Sequence, residues 1–187
     1  MTNPGPRSGL IVEITAAEPV VRQHRERLDA SAQLGVPAHI TVLFPFMPPE
    51  EIGEGTLIQL ERLFASVSGF DFQLDRTAWF GDTVLWLAPH DPSPFRTLTR
   101  RAFEGFPDFP PYQGQFADVV PHLTVGHGPL LNDLRMAEES VRTRLPIEGH
   151  AAAVTLIAQD VAAGRWTRAA TFALADTRGW GDGPRTA

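Results

Sequence analysis

Two four-residue stretches carry the chemistry open to this sequence. His39-Ile40-Thr41-Val42 returns 83 residues later as His122-Leu123-Thr124-Val125, with Pro37 ahead of the first copy and Pro121 ahead of the second. A lone His-x-Thr pair is more often a satisfied structural pair than a site. Its duplication, with an aliphatic residue after each His and each Thr, argues for function. On a strand, alternate side chains share a face. Each imidazole therefore stands beside its hydroxyl, about 6.5 Å away along the chain, while the aliphatic pair buries on the other face. If the copies face each other, two imidazoles and two hydroxyls converge on one small volume. Free imidazole titrates at about pH 6.5, so one ring can be neutral and the other charged near neutrality. A neutral base and a charged acid can act on opposite sides of a phosphorus centre, and the hydroxyls can donate to its non-bridging oxygens. The chemistry is acid–base phosphoester cleavage.

The elements that must hold these motifs mix strands and helices without a strict alternation. Strands are expected over residues 9–14 and 38–44, the second ended by Pro45, Pro48 and Pro49. Between them a helix opening at Pro19 carries Val21, His24, Leu28 and Ala32 on one face and ends at Gly35 and Pro37. Glu50 and Glu51 suit the start of a second helix, continued by Leu57, Leu60, Phe64 and Val67. Phe70, Phe72 and Leu74 alternate, and Gly81-Asp82 separates that run from Val84–Leu87, which signals a hairpin. Ser93-Pro94 reads as cap and first turn of a helix with Phe95, Leu98, Ala102 and Phe106 on its apolar side. A loop follows from Pro107 to Val120, then the strand His122–Val125. Asn132 or Asp133 caps a helix bearing Leu134, Ala137, Val141 and Leu145. Two strands close the chain, at 151–158 and 165–174. The expected fold class is α+β with antiparallel sheets. It forms a single bilobal domain over 1–187, with mobile tails at about 1–7 and 177–187. His24 reads as core, and His90 and His150 as exposed.

Composition removes several other chemistries. The 187 residues are 43% hydrophobic and 20% charged, enough for a sizeable core. With 0 cysteines there is no thiolate metal site, disulfide framework or cysteine nucleophile, which fits a cytoplasmic protein. All 16 basic residues are arginine, so a Walker-type loop and lysine chemistry are excluded. The net charge of −6 disfavours long DNA, because such binding neutralises many phosphates, but it leaves room for one small anion in a local pocket. No stretch reaches the ~18 apolar residues of a membrane span, and the N-terminus lacks the basic segment of a signal peptide.

At its motifs the sequence resembles the two-histidine (2H) phosphoesterase superfamily, in particular its 2′-5′ RNA ligase / cyclic phosphodiesterase group. The resemblance runs over about residues 8 to 175. It includes Leu43-Phe44-Pro45-Phe46, the run Val84-Leu85-Trp86-Leu87-Ala88-Pro89, and Pro111-Tyr112 leading into Val119-Val120-Pro121-His122. It implies two pseudo-symmetric lobes around a central cleft, each an antiparallel sheet with outer helices and one motif facing the cleft. It also implies hydrolysis of 2′,3′-cyclic phosphates to 2′-phosphates without metal or cofactor, and in some members reversible 2′-5′ joining of RNA ends. Carried over, His39 and His122 would be the acid–base pair, and Thr41 and Thr124 the phosphate anchors. Many members place a basic residue shortly after each motif. Here Leu43-Phe44-Pro45 and Gly126-His127 follow instead, which points away from tight phosphate binding and long RNA.

Further candidates for substrate contact are Arg168, Trp166, Tyr112 and His127. Trp79, Phe80 and Phe116 could stack a base, although packing is the better reading of each. The expected partner is a nucleotide or short RNA end bearing a cyclic phosphate, with no membrane, and the chain is expected to act as a monomer. Two other readings compete: a nucleotide-phosphate binding module without turnover, and a metal hydrolase using His39, His122 and Asp118.

Overall fold

The β-branched and aliphatic runs form strands and the three-and-four spaced runs form helices, in the order strand–helix–motif strand–helix, twice over. In the computed structural model, which describes residues 7–115, 118–160 and 164–176, the first series is β1 (Ser8–Glu13), α1 (Glu18–Leu28), the short α2 (Ala30–Gln33), β2 (His39–Leu43) and α3 (Glu54–Ala65). After β3 (Phe70–Phe80), the second is β4 (Val84–Pro89), α4 (Ser93–Gly105), β5 (Leu123–His127) and α5 (Leu131–Arg142). Three strands finish the described chain: β6 (Ile147–Ala151), β7 (Ala153–Gln159) and β8 (Trp166–Ala173). They make two four-stranded antiparallel sheets, ordered β2-β1-β7-β8 and β5-β4-β3-β6. The fold is α+β with two lobes.

The lobes exchange helices. α1 follows a strand of the first sheet yet packs on β5 of the second, while α4 follows a strand of the second yet packs on β2 of the first. One apolar cluster consequently runs from Leu10, Val12 and Ile40 to Leu85, Leu123 and Leu134. Gly126 shows how tight this junction is. A Cβ there would come within 2.6 Å of Leu134 Cδ2 and 2.9 Å of Leu28 Cβ, so α5 and α1 could not close on β5 over any larger residue.

Both motif strands are the edge strands of their sheets, and they lie against each other. Ile40 and Val42, Leu123 and Val125 are buried, each contributing about 1.5–3 kcal/mol to holding its strand in register. The register slips at the same place in both. Leu10 pairs with Leu43 and Ile11 with Thr41, skipping Val42. Leu85 pairs with Gly126 and Trp86 with Thr124, skipping Val125. Each bulge turns two successive residues inward, so that the fifth residue after each motif histidine, Phe44 or His127, comes back to the face of the histidine and threonine.

Several elements depart from the expectations. The single helix from Pro19 to Ala32 breaks at Asp29, whose extended backbone (φ −131°, ψ 107°) caps α2 by accepting from the Ser31 amide at 2.9 Å. His24 is half-buried rather than core and shares a hydrogen bond with Ser140 Oγ at 3.2 Å. The buried polar residue of α1 is its neighbour Arg25, paired with Asp29 at 2.8 Å. Glu50 and Glu51 lie in a 3-10 turn, and α3 begins only at Glu54. The α4 start is capped by Asp91, whose carboxylate accepts from the Ser93 amide, and α5 begins at Leu131 without a side-chain cap. His150 is half-buried beside Asp71, not exposed. Three strands rather than two follow α5. β6 is poor in apolar residues, and its Gly149 is needed because a Cβ would sit 2.4 Å from Phe72 Cζ. The tails at 1–6 and 177–187 lie outside the described residues, as does Phe116. Among the described residues no helix is long and apolar enough to cross a membrane.

Candidate active site

Strand alternation and the two bulges bring His39, Thr41, Phe44, Thr124 and His127 to one cleft of about 390 Å³. Ile11, Val36 and Ile157 form its apolar floor, with Trp166 packed beside them, and Arg7 lies at one end. The short helix α2 and the Leu34 that follows it supply a wall through Ala30, Ser31 and Leu34, held by the buried Arg25–Asp29 pair. His122 lies just before β5, two residues ahead of Thr124, and is not part of the cleft lining, yet it is near enough for its charge to oppose protonation of His39.

The two histidines are anchored alike. His39 Nδ1 lies 2.8 Å from the carbonyl of Pro37, and His122 Nδ1 lies 2.7 Å from that of Val120. A carbonyl can only accept, so each Nδ1 carries a proton and donates it, leaving Nε2 as the reactive nitrogen of each ring. Each bond reaches back two residues, so the chain just before each motif fixes its ring. Burial holds His39 far below the usual imidazole range, at about 4, against a smaller opposing effect of the Pro37 hydrogen bond. Burial lowers His122 as well. In the free protein both rings are neutral at pH 7.

Their surroundings differ. Glu13 pairs with His39 across β1 and β2. Its carboxylate accepts from Arg168 and Thr155, which hold it ionised against the raising effect of burial. Two residues beyond Trp86, the place matching Glu13 is taken by Ala88. His122 meets aromatic rings instead: Phe80 at 5.0 Å and 88°, and Trp86 at 5.7 Å and 63°, the two rings being stacked on each other at 4.7 Å.

Among the residues singled out from sequence, His127 and Trp166 join the cleft. Arg168 does not. Both its Nε and Nη2 donate to the Glu13 carboxylate. Tyr112 sits beside Thr41, its hydroxyl hydrogen-bonded to that side chain and its amide donating to Phe44 O at 2.7 Å. Tyr112 and Gln113 take left-handed backbone conformations (φ 50° and 57°), strain that ties the loop after α4 to the first motif strand. Trp79 belongs to packing, donating to Glu138 at 3.0 Å under the Arg135 guanidinium. Asp118 is exposed and paired with Arg96, and among the described residues no three His, Asp or Glu side chains are grouped to hold a metal ion. Sequence reasoning missed Arg7, assigned to a tail, and the α2 wall. The equal spacing of Phe44 and His127 from their histidines was visible, but only the bulges give it meaning.

The sequence model of the 2′-5′ RNA ligase superfamily matches residues 12–163. Among solved structures, TT0787 of Thermus thermophilus has a similar fold, with a TM-score of 0.58 and 18% identity over 91% of this chain and 99% of that one. E. coli LigT complexed with NADP+ gives 0.56 and 22% over 92% and 99%, and LigT complexed with 3′-AMP gives 0.55 and 18% over 91% and 99%. At these identities the likeness is one of fold. Among curated proteins none matches this chain.

Proposed function

This chain belongs to the 2′-5′ RNA ligase superfamily, a family of phosphoesterases, and on that premise we propose that it opens 2′,3′-cyclic phosphates of nucleotides or short RNA ends to 2′-phosphates without a metal. The observation that carries the reading is the equivalent seating of two imidazoles. His39 sits on the edge strand of its sheet and His122 immediately before the edge strand of the other, each is anchored through Nδ1 to the carbonyl two residues back, and each stands two residues before a threonine that lines the cleft. A cleft of about 390 Å³ suits a nucleotide. The relative LigT has been crystallised with NADP+, 3′-AMP and ATP, which agrees with a nucleotide ligand.

His39, held at about 4, is neutral at working pH and serves as the base that takes a proton from water. His122 is the acid. Burial disfavours its charged form in the free protein, and the incoming phosphate raises its affinity for a proton. Water attacks phosphorus on the His39 side, the bond to the ribose 3′ oxygen breaks on the opposite side, and that oxygen leaves with the His122 proton. Thr41 and Thr124 donate to the non-bridging oxygens. With an RNA 5′-hydroxyl in place of water, the same steps form a 2′-5′ linkage. The setting we propose is a cytoplasmic monomer.

The test is a nucleoside 2′,3′-cyclic phosphate offered to chelator-treated protein, with products read by phosphorus NMR. A 2′-phosphate product is expected. Binding without turnover would make the protein a nucleotide-phosphate binding module, and activity that a divalent ion restores would make it a metal hydrolase. A 3′-phosphate product would reverse the regiochemistry.

A further inference from the structure

At the end of the cleft formed by the start of β1, the Arg7 guanidinium lies 5.8 Å from the Phe44 ring centre and 5.9 Å from that of Trp166. Those two rings meet edge to face at 6.0 Å. Arg7 is anchored at its backbone, where its carbonyl accepts from the Gln159 amide at 2.8 Å. Contact with aromatic rings occupies the faces of a guanidinium and leaves its in-plane N–H groups free, the donors that grip phosphate oxygens in pairs. Among the described residues no carboxylate is paired with Arg7, whereas Arg25 is tied to Asp29 and Arg168 to Glu13. Arg7 is thus the arginine of the cleft lining. Its aromatic seat is set apart from the motif residues: Phe44 follows Thr41 by three positions, across the bulge and just past the end of β2, at most roughly 10 Å of chain and within the span of one nucleotide.

We propose that Arg7, seated on Phe44 and Trp166, binds a second phosphate of the substrate, on the 5′ side of the nucleotide whose cyclic phosphate lies between the two motifs. The inference rests on the phosphodiesterase reading. A nucleotide closed at its 2′ and 3′ oxygens extends from its 5′ carbon, so the second phosphate is either a terminal 5′-phosphate or the diester to a preceding nucleotide. Both present the same anionic oxygens. The charge matters because the chain carries −6, has no lysine, and keeps both motif histidines neutral in the free state. No basic residue follows either motif, and the cation comes instead from the first strand's entrance.

The experiment compares three substrates on wild-type protein and on Arg7→Gln and Arg7→Lys: a nucleoside 2′,3′-cyclic phosphate, its 5′-phosphorylated form, and a dinucleotide ending in the same cyclic phosphate. Wild type should prefer at least one of the two larger substrates by about tenfold or more in kcat/KM, and whichever it prefers identifies the source of the phosphate. Arg7→Gln should abolish that preference, and Arg7→Lys should restore part of it, since a point charge replaces a paired donor. No preference in wild type, or an equal loss on all three substrates in Arg7→Gln, would overturn the proposal. Calorimetry with adenosine 2′,5′-bisphosphate and adenosine 2′-phosphate reads the same subsite without turnover. Tighter binding of the bisphosphate that Arg7→Gln removes supports the subsite even if the cyclic phosphate is never hydrolysed, which separates its fate from that of the reaction. Equal affinity of wild type for both ligands would count against it.

Discussion

The first and second motif strands share an edge position, a bulge after the threonine and a histidine tied to the carbonyl two residues back, yet they differ in what surrounds the ring. Around His39 the neighbours are polar and already satisfied, with Glu13 across the strand pair locked to Arg168 and Thr155. Around His122 they are the stacked rings of Phe80 and Trp86. The shared features fix where the two Nε2 atoms go. On the proposed mechanism, the unshared ones divide the roles of base and acid between the two rings. Symmetry in this fold sets geometry, and departures from it set the division of labour.

The largest effects should come from breaking the shared part. His39→Ala and His122→Ala should each lower turnover by about 10²–10⁴ in steady-state assays while the thermal melt shows a folded protein. Because the rings act as a unit, the double variant should be little worse than either single one. Near-normal activity in either single variant would end the two-histidine account. Thr41→Val and Thr124→Val should cost less, about tenfold or more each, and by similar amounts if both hydroxyls hold the same phosphate.

The unshared part has a pH signature. Activity at low substrate needs His39 neutral and His122 protonated. kcat/KM should therefore fall on the acid side near pH 4, and on the alkaline side below 6.5, because burial lowers His122 in the free protein. The alkaline limb of kcat should lie higher, since the bound phosphate favours the His122 proton. Trp86→Leu thins the packing whose burial lowers His122, so it should move the alkaline limb up and leave the acid limb in place. Movement of the acid limb alone would exchange the two assignments.

A smaller effect lies in stability. His39 titrates at about 4 when folded and at its ordinary 6.5 when unfolded, so the unfolded chain binds more protons between those values. Its contribution is complete above pH 6.5 and is lost as pH falls toward 4, by up to about 3 kcal/mol. Denaturant titrations at pH 7 and pH 4.5 should show this loss in wild type and less of it in His39→Gln.

The legible part of this molecule was the part written in short-range patterns. The two His-x-Thr runs, the alternation that puts Ile40 and Leu123 inside, and the hairpin at Gly81-Asp82 all depend on residues a few places apart. The helix exchange was not legible, because nothing in α1 says that its apolar face meets β5 rather than the sheet it follows. β6 escaped because its pairing with β3 rests on Gly149 making room for Phe72, a fact of the partner strand. The break at Asp29 was hidden inside a continuous helical pattern and appears only through the ion pair with Arg25. Arg7 reads as tail because its seat is made by two aromatic residues 37 and 159 positions away.

The central claim is that both motifs hold one phosphoryl group, and a crystal structure with a bound nucleoside 2′-phosphate tests it most directly. The account predicts His39 Nε2, His122 Nε2 and the hydroxyls of Thr41 and Thr124 all within about 2.6–3.2 Å of oxygens of the same phosphoryl group. A phosphate touching one motif while the other faces solvent would contradict it.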